Sequence, residues 1–198
     1  MGDKETFLEI MDTMSKDLKG PLFPNIGSGD YTNMTSMDAP LWFFWSLQQY
    51  IFFTGDKKTV KSRYLDKLRG IIEGYKAGTE FNIHMLDNGL IWGGQEGVAL
   101  TWMDAITPDG PVTPRKGCPV EIQALWYNAL CFYHELSGDK DYLTLAGKVK
   151  ESFDREFWSW DYGYLADVVD GEEKDWSIRP NMVFATSLPY TMLSEEKN

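Results

Sequence analysis

Apolar positions run almost without interruption through two stretches of the chain. One extends from about Asp38 to Phe53, where Leu41, Trp42, Phe43, Phe44 and Trp45 leave no polar face. The other extends from about Pro119 to Leu136, with Leu125, Trp126, Tyr127, Ala129, Leu130, Cys131 and Phe132. Helices apolar all round are expected to be buried on all sides. Each ends in the same kind of turn, Thr54-Gly55-Asp56-Lys57 and Ser137-Gly138-Asp139-Lys140. The Gly suits a helix C-cap, and the Asp after it suits the next N-cap.

The segments after these turns have a different pattern. Val60, Tyr64, Leu68, Ile71 and Tyr75 form one stripe at helical spacing, with Lys61, Arg63, Lys67 and Glu73 elsewhere. Leu145, Val149 and Phe153 form another, with Lys148, Lys150 and Glu151 elsewhere. These are amphipathic surface helices. The order inner helix, tight turn, outer helix therefore occurs twice, an internal repeat. A third cycle opens with a short inner helix over Asn181 to Leu188, stopped by Pro189. Ser194-Glu195-Glu196 then resembles the cap and acidic first turn of another helix.

Long segments separate the cycles. Phe81 to Gly94 carries Asp87-Asn88-Gly89 between apolar runs and predicts a β-hairpin. Ala99 to Gly117 reads as loop, with Pro108, Pro111 and Pro114, and Gly163 to Gly171 predicts a second short hairpin. Loops of this length are uncommon unless they carry function. They precede the N-termini of the inner helices, so that end is expected to form the mouth of a pocket.

Composition narrows the chemistry. The chain has 198 residues, enough for one domain with a real core. Its net charge is -11 with no basic cluster, which argues against a nucleic-acid partner. No apolar run reaches the ~20 residues needed to span a bilayer, and no opening stretch reads as a signal peptide. Two cysteines, Cys118 and Cys131, do not make a disulfide framework, which fits a reducing cytoplasm. Asn33-Met34-Thr35 matches a glycosylation sequon, a motif short enough to recur by chance. Aromatic residues make up 15% of the chain, and those not in the core could line a sugar site.

His84 and His134 lack zinc-ligand spacing, and there is no nucleophile elbow or phosphate-binding loop, so no metal or cofactor is expected. Any catalysis must rest on carboxylates. Asp104, after Thr101-Trp102-Met103, reads as a partly desolvated acid or as a loop-ordering Asp. Glu121 opens a buried helix, with Asn128 seven positions on along the same face. The pair reads as a pocket wall, or Glu121 simply stabilises the helix N-terminus. Asp38 opens the other buried helix as a cap or a site residue. Arg179 precedes the third inner helix as a site cation or a surface ion pair. Asp161, Asp167, Asp170, Glu172, Glu173 and Asp175 form an acidic stretch read as a solvated loop.

Five blocks occur in order: Asp38-Ala39-Pro40-Leu41-Trp42-Phe43, Leu100-Thr101-Trp102-Met103-Asp104-Ala105, Val112-Thr113-Pro114-Arg115, the run Pro119 to Leu130, and Ser177-Ile178-Arg179-Pro180-Asn181. This series resembles the amylo-α-1,6-glucosidase domain of glycogen debranching enzymes. The Pro119 block also resembles alkaline/neutral invertases. The resemblance implies an all-α fold, here part of an (α/α)6 toroid of inner and outer helices with short β-hairpins in the loops. It implies inverting hydrolysis of the α-1,6-linked glucose at the branch points of an α-glucan such as glycogen or a limit dextrin. Asp104 matches the general acid, and Asp38, Trp42, Trp102, Glu121, Asn128 and Arg179 are expected around the sugar. The family's base is a Glu expected beyond Asn198, so the chain reads as part of a glucosidase domain. The alternative is a carbohydrate-binding or interaction module that keeps the pocket without the base. Half a ring is also expected to expose its inner helices and to form homo-oligomers through them.

Overall fold

The computed structural model describes residues 3–24 and 36–197; the sequon at Asn33 lies outside them. Among the described residues six α-helices carry the fold: α1 (Lys4–Lys16), α2 (Ala39–Thr54), α3 (Lys57–Ala77), α4 (Val120–Ser137), α5 (Lys140–Phe157) and the single-turn α6 (Phe184–Ser187). A 3-10 turn, Pro180–Val183, leads directly into α6, so the predicted third inner helix is present in short form.

The two repeat turns are built as the sequence predicts. Gly55 and Gly138 adopt φ of 70° and 82°. Their amides close back on Ile51 and His134 carbonyls at 2.7 and 2.8 Å. The Asp56 carboxylate accepts from the Thr59 amide at 3.0 Å, and Asp139 accepts from the Asp141 amide at 3.0 Å. Each cap satisfies a helix-start donor that would otherwise be unpaired.

Helix α4 is the centre of the molecule. It packs against α2, α3, α5 and α6, and residues from Val120 to Ala129 are buried on every side but Tyr127. Helices α3 and α5 bury one stripe each, Val60, Tyr64, Leu68, Ile71 and Tyr75 on α3 and Val149, Phe153 and Phe157 on α5. The inner helix α2 departs from the expectation of burial on all sides. Trp42, Trp45 and Gln49 are half-buried, and Phe52 and Phe53 are 78% and 66% exposed. Phe184 of α6 meets the Trp42 end of this side, and the stripe opens toward Phe52 and Phe53. The exposed apolar surface expected on both inner helices is therefore confined to α2.

Helix α1 was not foreseen, although Phe7, Leu8 and Met11 lie at helical spacing after Asp3, whose carboxylate accepts from the Glu5 amide at 2.9 Å. It docks on α3 through Asp12, which accepts from Tyr64 Oη at 2.7 Å and Arg63 at 3.1 Å.

Short strands organise the loops. β1 (His84–Met85) and β2 (Ile91–Trp92) pair antiparallel across the predicted Asp87-Asn88-Gly89 turn. Gln123 of α4 clamps this hairpin by accepting from the Ile91 amide and donating to the Ile91 carbonyl, both at 2.8 Å. A further small hairpin, β3 (Ile106–Thr107) with β4 (Gly110–Pro111), sits in the loop after Asp104. The second hairpin lies later than expected. Gly171 forms its turn rather than its end, between β6 (Val168–Asp170) and β7 (Glu173–Asp175), and β6 also pairs with β5 (Cys118–Pro119). Gly117 makes this possible: its φ is 123°, and a Cβ there would lie 2.7 Å from the Val169 carbonyl oxygen.

Both cysteines are free and buried, and burial pushes the Cys118 thiol up to about 12. Among the described residues no helix is long and apolar enough to cross a membrane.

Candidate active site

The N-terminus of α2 is tied to the loops at the mouth by backbone contacts. The Met37 amide donates to the Leu100 carbonyl at 2.9 Å, and Tyr75 Oη donates to the Met37 carbonyl at 2.8 Å. These contacts bring Asp38 and Ala39-Trp42 beside Thr101-Trp102-Met103-Asp104. A cleft of about 340 Å³ opens there, lined by Asp38, Trp42, Ser46, Thr101, Trp102 and Asp104 among others.

Two carboxylates thus share one cleft with two indoles, the combination that suits a sugar: faces to stack on and acceptors for hydroxyls. Asp38 is 6% exposed. It occupies the N-cap position of α2, yet its side chain caps nothing; Ser36 Oγ instead accepts from the Ala39 amide at 3.1 Å and donates to the Asp38 carboxylate. Trp42 meets Trp45 and Phe184 edge-on at 5.7 and 5.3 Å. Trp102 is 52% exposed and offers a ring to the cleft.

Asp104 is exposed, which differs from the desolvated setting expected of it. Trp102 points its indole N–H toward Asn181 rather than covering Asp104, and Met103 is drawn to Asn181 as well.

Glu121 is in contact with this site only through an intermediary. It is 1% exposed and takes both Arg115 Nη1 and Nη2, the latter at 2.7 Å. Burial pushes its carboxyl up, and the Arg115 fork acts against that shift. Arg115 also binds Asp167 through Nε at 2.9 Å and Nη2 at 3.0 Å, and reaches Thr101 Oγ1 at 3.2 Å. Burial works to lower the Arg115 pKa, and the two carboxylates more than offset it, so the guanidinium stays charged.

Asp167 corrects the reading of the acidic stretch as a solvated loop: it is 0% exposed. Besides Arg115 it accepts from Asn181 Nδ2 at 2.7 Å and from Arg179 at 2.6 Å. Arg179 is no simple surface pair, since it also holds Asp175 at 2.6 Å. Burial raises the Asp175 carboxyl, but the Arg179 and Ser177 hydrogen bonds dominate and bring it down to about 2.

Asn128 is placed apart from the cleft. It is fully buried and exchanges two amide hydrogen bonds with Gln48, at 2.6 and 3.2 Å. Its Oδ1 also accepts from the Tyr190 amide at 3.4 Å, so it faces Gln48 of α2 and Tyr190, whereas Glu121 faces Arg115. The residues that the sequence reading left without a role are Thr101, Arg115, Asp167 and Asn181. Three of these stood inside the five blocks; Asp167 gave no signal beyond its charge.

Comparison with solved structures finds a similar fold in a GH78 family rhamnosidase of Bacillus sp. GL1. That match has 14% identity and a TM-score of 0.63 over 88% of this chain and 18% of that one. A rhamnosidase from Klebsiella oxytoca with rhamnose bound is similar too, at 11% identity and a TM-score of 0.59, over 87% of this chain and 33% of that one. The chain therefore spans a third or less of the length of either, and the likeness concerns the fold. A search of the curated proteins finds no sequence match. The profile of the family described as amylo-alpha-1,6-glucosidase matches residues 5–198, nearly the whole chain and all the cleft residues. The chain belongs to the amylo-alpha-1,6-glucosidase family.

Proposed function

We propose that this chain forms the acid-bearing part of an inverting α-1,6-glucosidase that removes branch-point glucose from glycogen-like α-glucans in the cytoplasm. The observation that carries the reading is the shared cleft of Asp38, Trp42, Trp102 and Asp104. Asp104 protonates the departing glycosidic oxygen. Trp42 and Trp102 present ring faces and edges to the sugar, and Asp38, already hydrogen-bonded by Ser36, accepts from its hydroxyls. Glu121 and Arg179 support the site from beneath, through Arg115 and Asp167. Inversion also requires a second carboxyl about 6.5–9.5 Å from the acid, with a water between them. In this reading a Glu from outside these residues supplies it and completes the ring. That closure also covers Asp104 and provides the desolvation a general acid needs.

The exposure of Asp104 in this chain supports a second reading, a carbohydrate-binding module that retains the cleft without catalysis. A substrate panel on the full-length protein separates the readings. An α-1,6-branched limit dextrin, sucrose and an α-rhamnoside are offered in parallel. Glucose release from the dextrin alone is expected. Release from sucrose instead would favour an invertase-like activity, and binding of dextrin with no release would favour the module.

A further inference from the structure

The charged network beneath the cleft is costly to build. The side chains of Arg115, Glu121 and Asp167 are 2%, 1% and 0% exposed. Apolar residues of similar volume commonly stabilise a fold as well as such a group, so stability alone does not account for it. Its contacts do. Arg115 Nη1 donates to Thr101 Oγ1 at 3.2 Å. Asn181 Oδ1 accepts from Trp102 Nε1 at 3.0 Å, and Asn181 Nδ2 lies 3.5 Å from Met103 Sδ. The three residues immediately before Asp104 are thus each held by a side chain anchored on the Asp167 carboxylate.

The chemistry of Asn181 fixes its orientation. An indole N–H can only donate and a carboxylate can only accept, so the amide oxygen must face Trp102 and the nitrogen must face Asp167. An aliphatic side chain can serve neither partner. Asp104 takes no such contact of its own among the described residues; the backbone it follows sets its place.

We infer that Arg115, Asp167 and Asn181 are positioning residues that fix Thr101–Met103 and, through that segment, where the Asp104 carboxylate stands in the cleft. The catalytic half of this rests on Asp104 as the acid; the positional half does not.

The positional half is tested on the 198-residue chain by NMR of the Trp102 indole N–H, identified with Trp102→Phe, and of the Asp104 backbone amide. Asn181→Leu should move both signals while those of α3 and α5 stay in place. Unmoved Trp102 and Asp104 signals in a folded variant would overturn the inference. If Asn181→Leu does not fold, Trp102→Phe, which removes the indole donor together with part of the ring, must move the Asp104 amide, and an unmoved amide overturns it equally.

The catalytic half is read in the full-length protein with two substrates. A dextrin branch needs its leaving group protonated, whereas fluoride departs from α-glucosyl fluoride without an acid. Asn181→Leu should lower kcat on dextrin about 10- to 100-fold, the scale of a small misplacement of a reacting group, and raise KM on both substrates as Trp102 loosens. On the fluoride its kcat should stay within about twofold. Equal loss on both substrates would show general damage rather than positioning. Dextrin activity that survives Asp104→Asn would reject the acid assignment and leave the NMR result standing by itself.

Discussion

Asp167 is a buried anion held by two guanidinium groups and an amide, and its neutralisation should be felt throughout the site. Asp167→Asn leaves Arg115 and Arg179 without a shared counter-charge. Breaking a buried pair from one side typically costs about 3–5 kcal/mol, so denaturant unfolding should show a loss on that scale. Asp175 gives a milder, pH-dependent effect. Its folded pKa of about 2 lies below the ordinary Asp value of about 3.9. The stability it contributes is therefore complete above pH ~4 and is lost as pH falls toward ~2. Thermal unfolding of Asp175→Asn should be less steeply acid-dependent across that window. At this scale the sequence was legible wherever a residue sits beside its partners in a block. Asp38, Trp42, Trp102 and Asp104 meet as expected because two blocks converge on one helix N-terminus. Asp167 was not legible, since its partner Arg115 is remote in sequence and only the β5–β6 pairing brings them together. Asn128 lies against Gln48, because periodicity places a residue on a face but does not say what that face meets.

The repeated turns show how local chemistry becomes architecture. Gly55 and Gly138 stop the inner helices, and Asp56 and Asp139 start the outer ones, so each hairpin is specified within four residues. Asp56→Ala should cost about 1 kcal/mol, the usual value of an N-cap, and thermal denaturation would read it. Gly117→Ala should cost more. It adds left-handed strain, itself about 1–3 kcal/mol, to a Cβ placed 2.7 Å from the Val169 carbonyl oxygen. Both effects should add in the double variant, because the sites share no partner. The alternation of inner and outer helices and the Asp87-Asn88-Gly89 hairpin were readable because their signals are local. The β5–β6–β7 sheet was not, because β5 is two residues long and its register depends on Gly117 making room for a distant strand.

For the whole molecule, the repeat carries the family resemblance into three dimensions, with α4 enclosed and α2 open along Trp45, Gln49, Phe52 and Phe53. An exposed stripe of this kind tends to find a partner. The 198-residue chain alone should therefore show concentration-dependent association by light scattering, weakened by Phe52→Ser with Phe53→Ser; a strictly monomeric chain would contradict this. On the proposed reading the same sample should bind dextrin at the Trp42–Trp102 cleft. The most direct measurement of the central claim is glucose release from α-1,6-branched limit dextrin by the full-length protein with and without Asp104→Asn, alongside dextrin binding. A general acid contributes about 10²–10⁴-fold to rate, so kcat should fall by that factor while binding holds. An Asp104→Asn protein that releases glucose at the unsubstituted rate would contradict the assignment of this cleft as the glucosidase site.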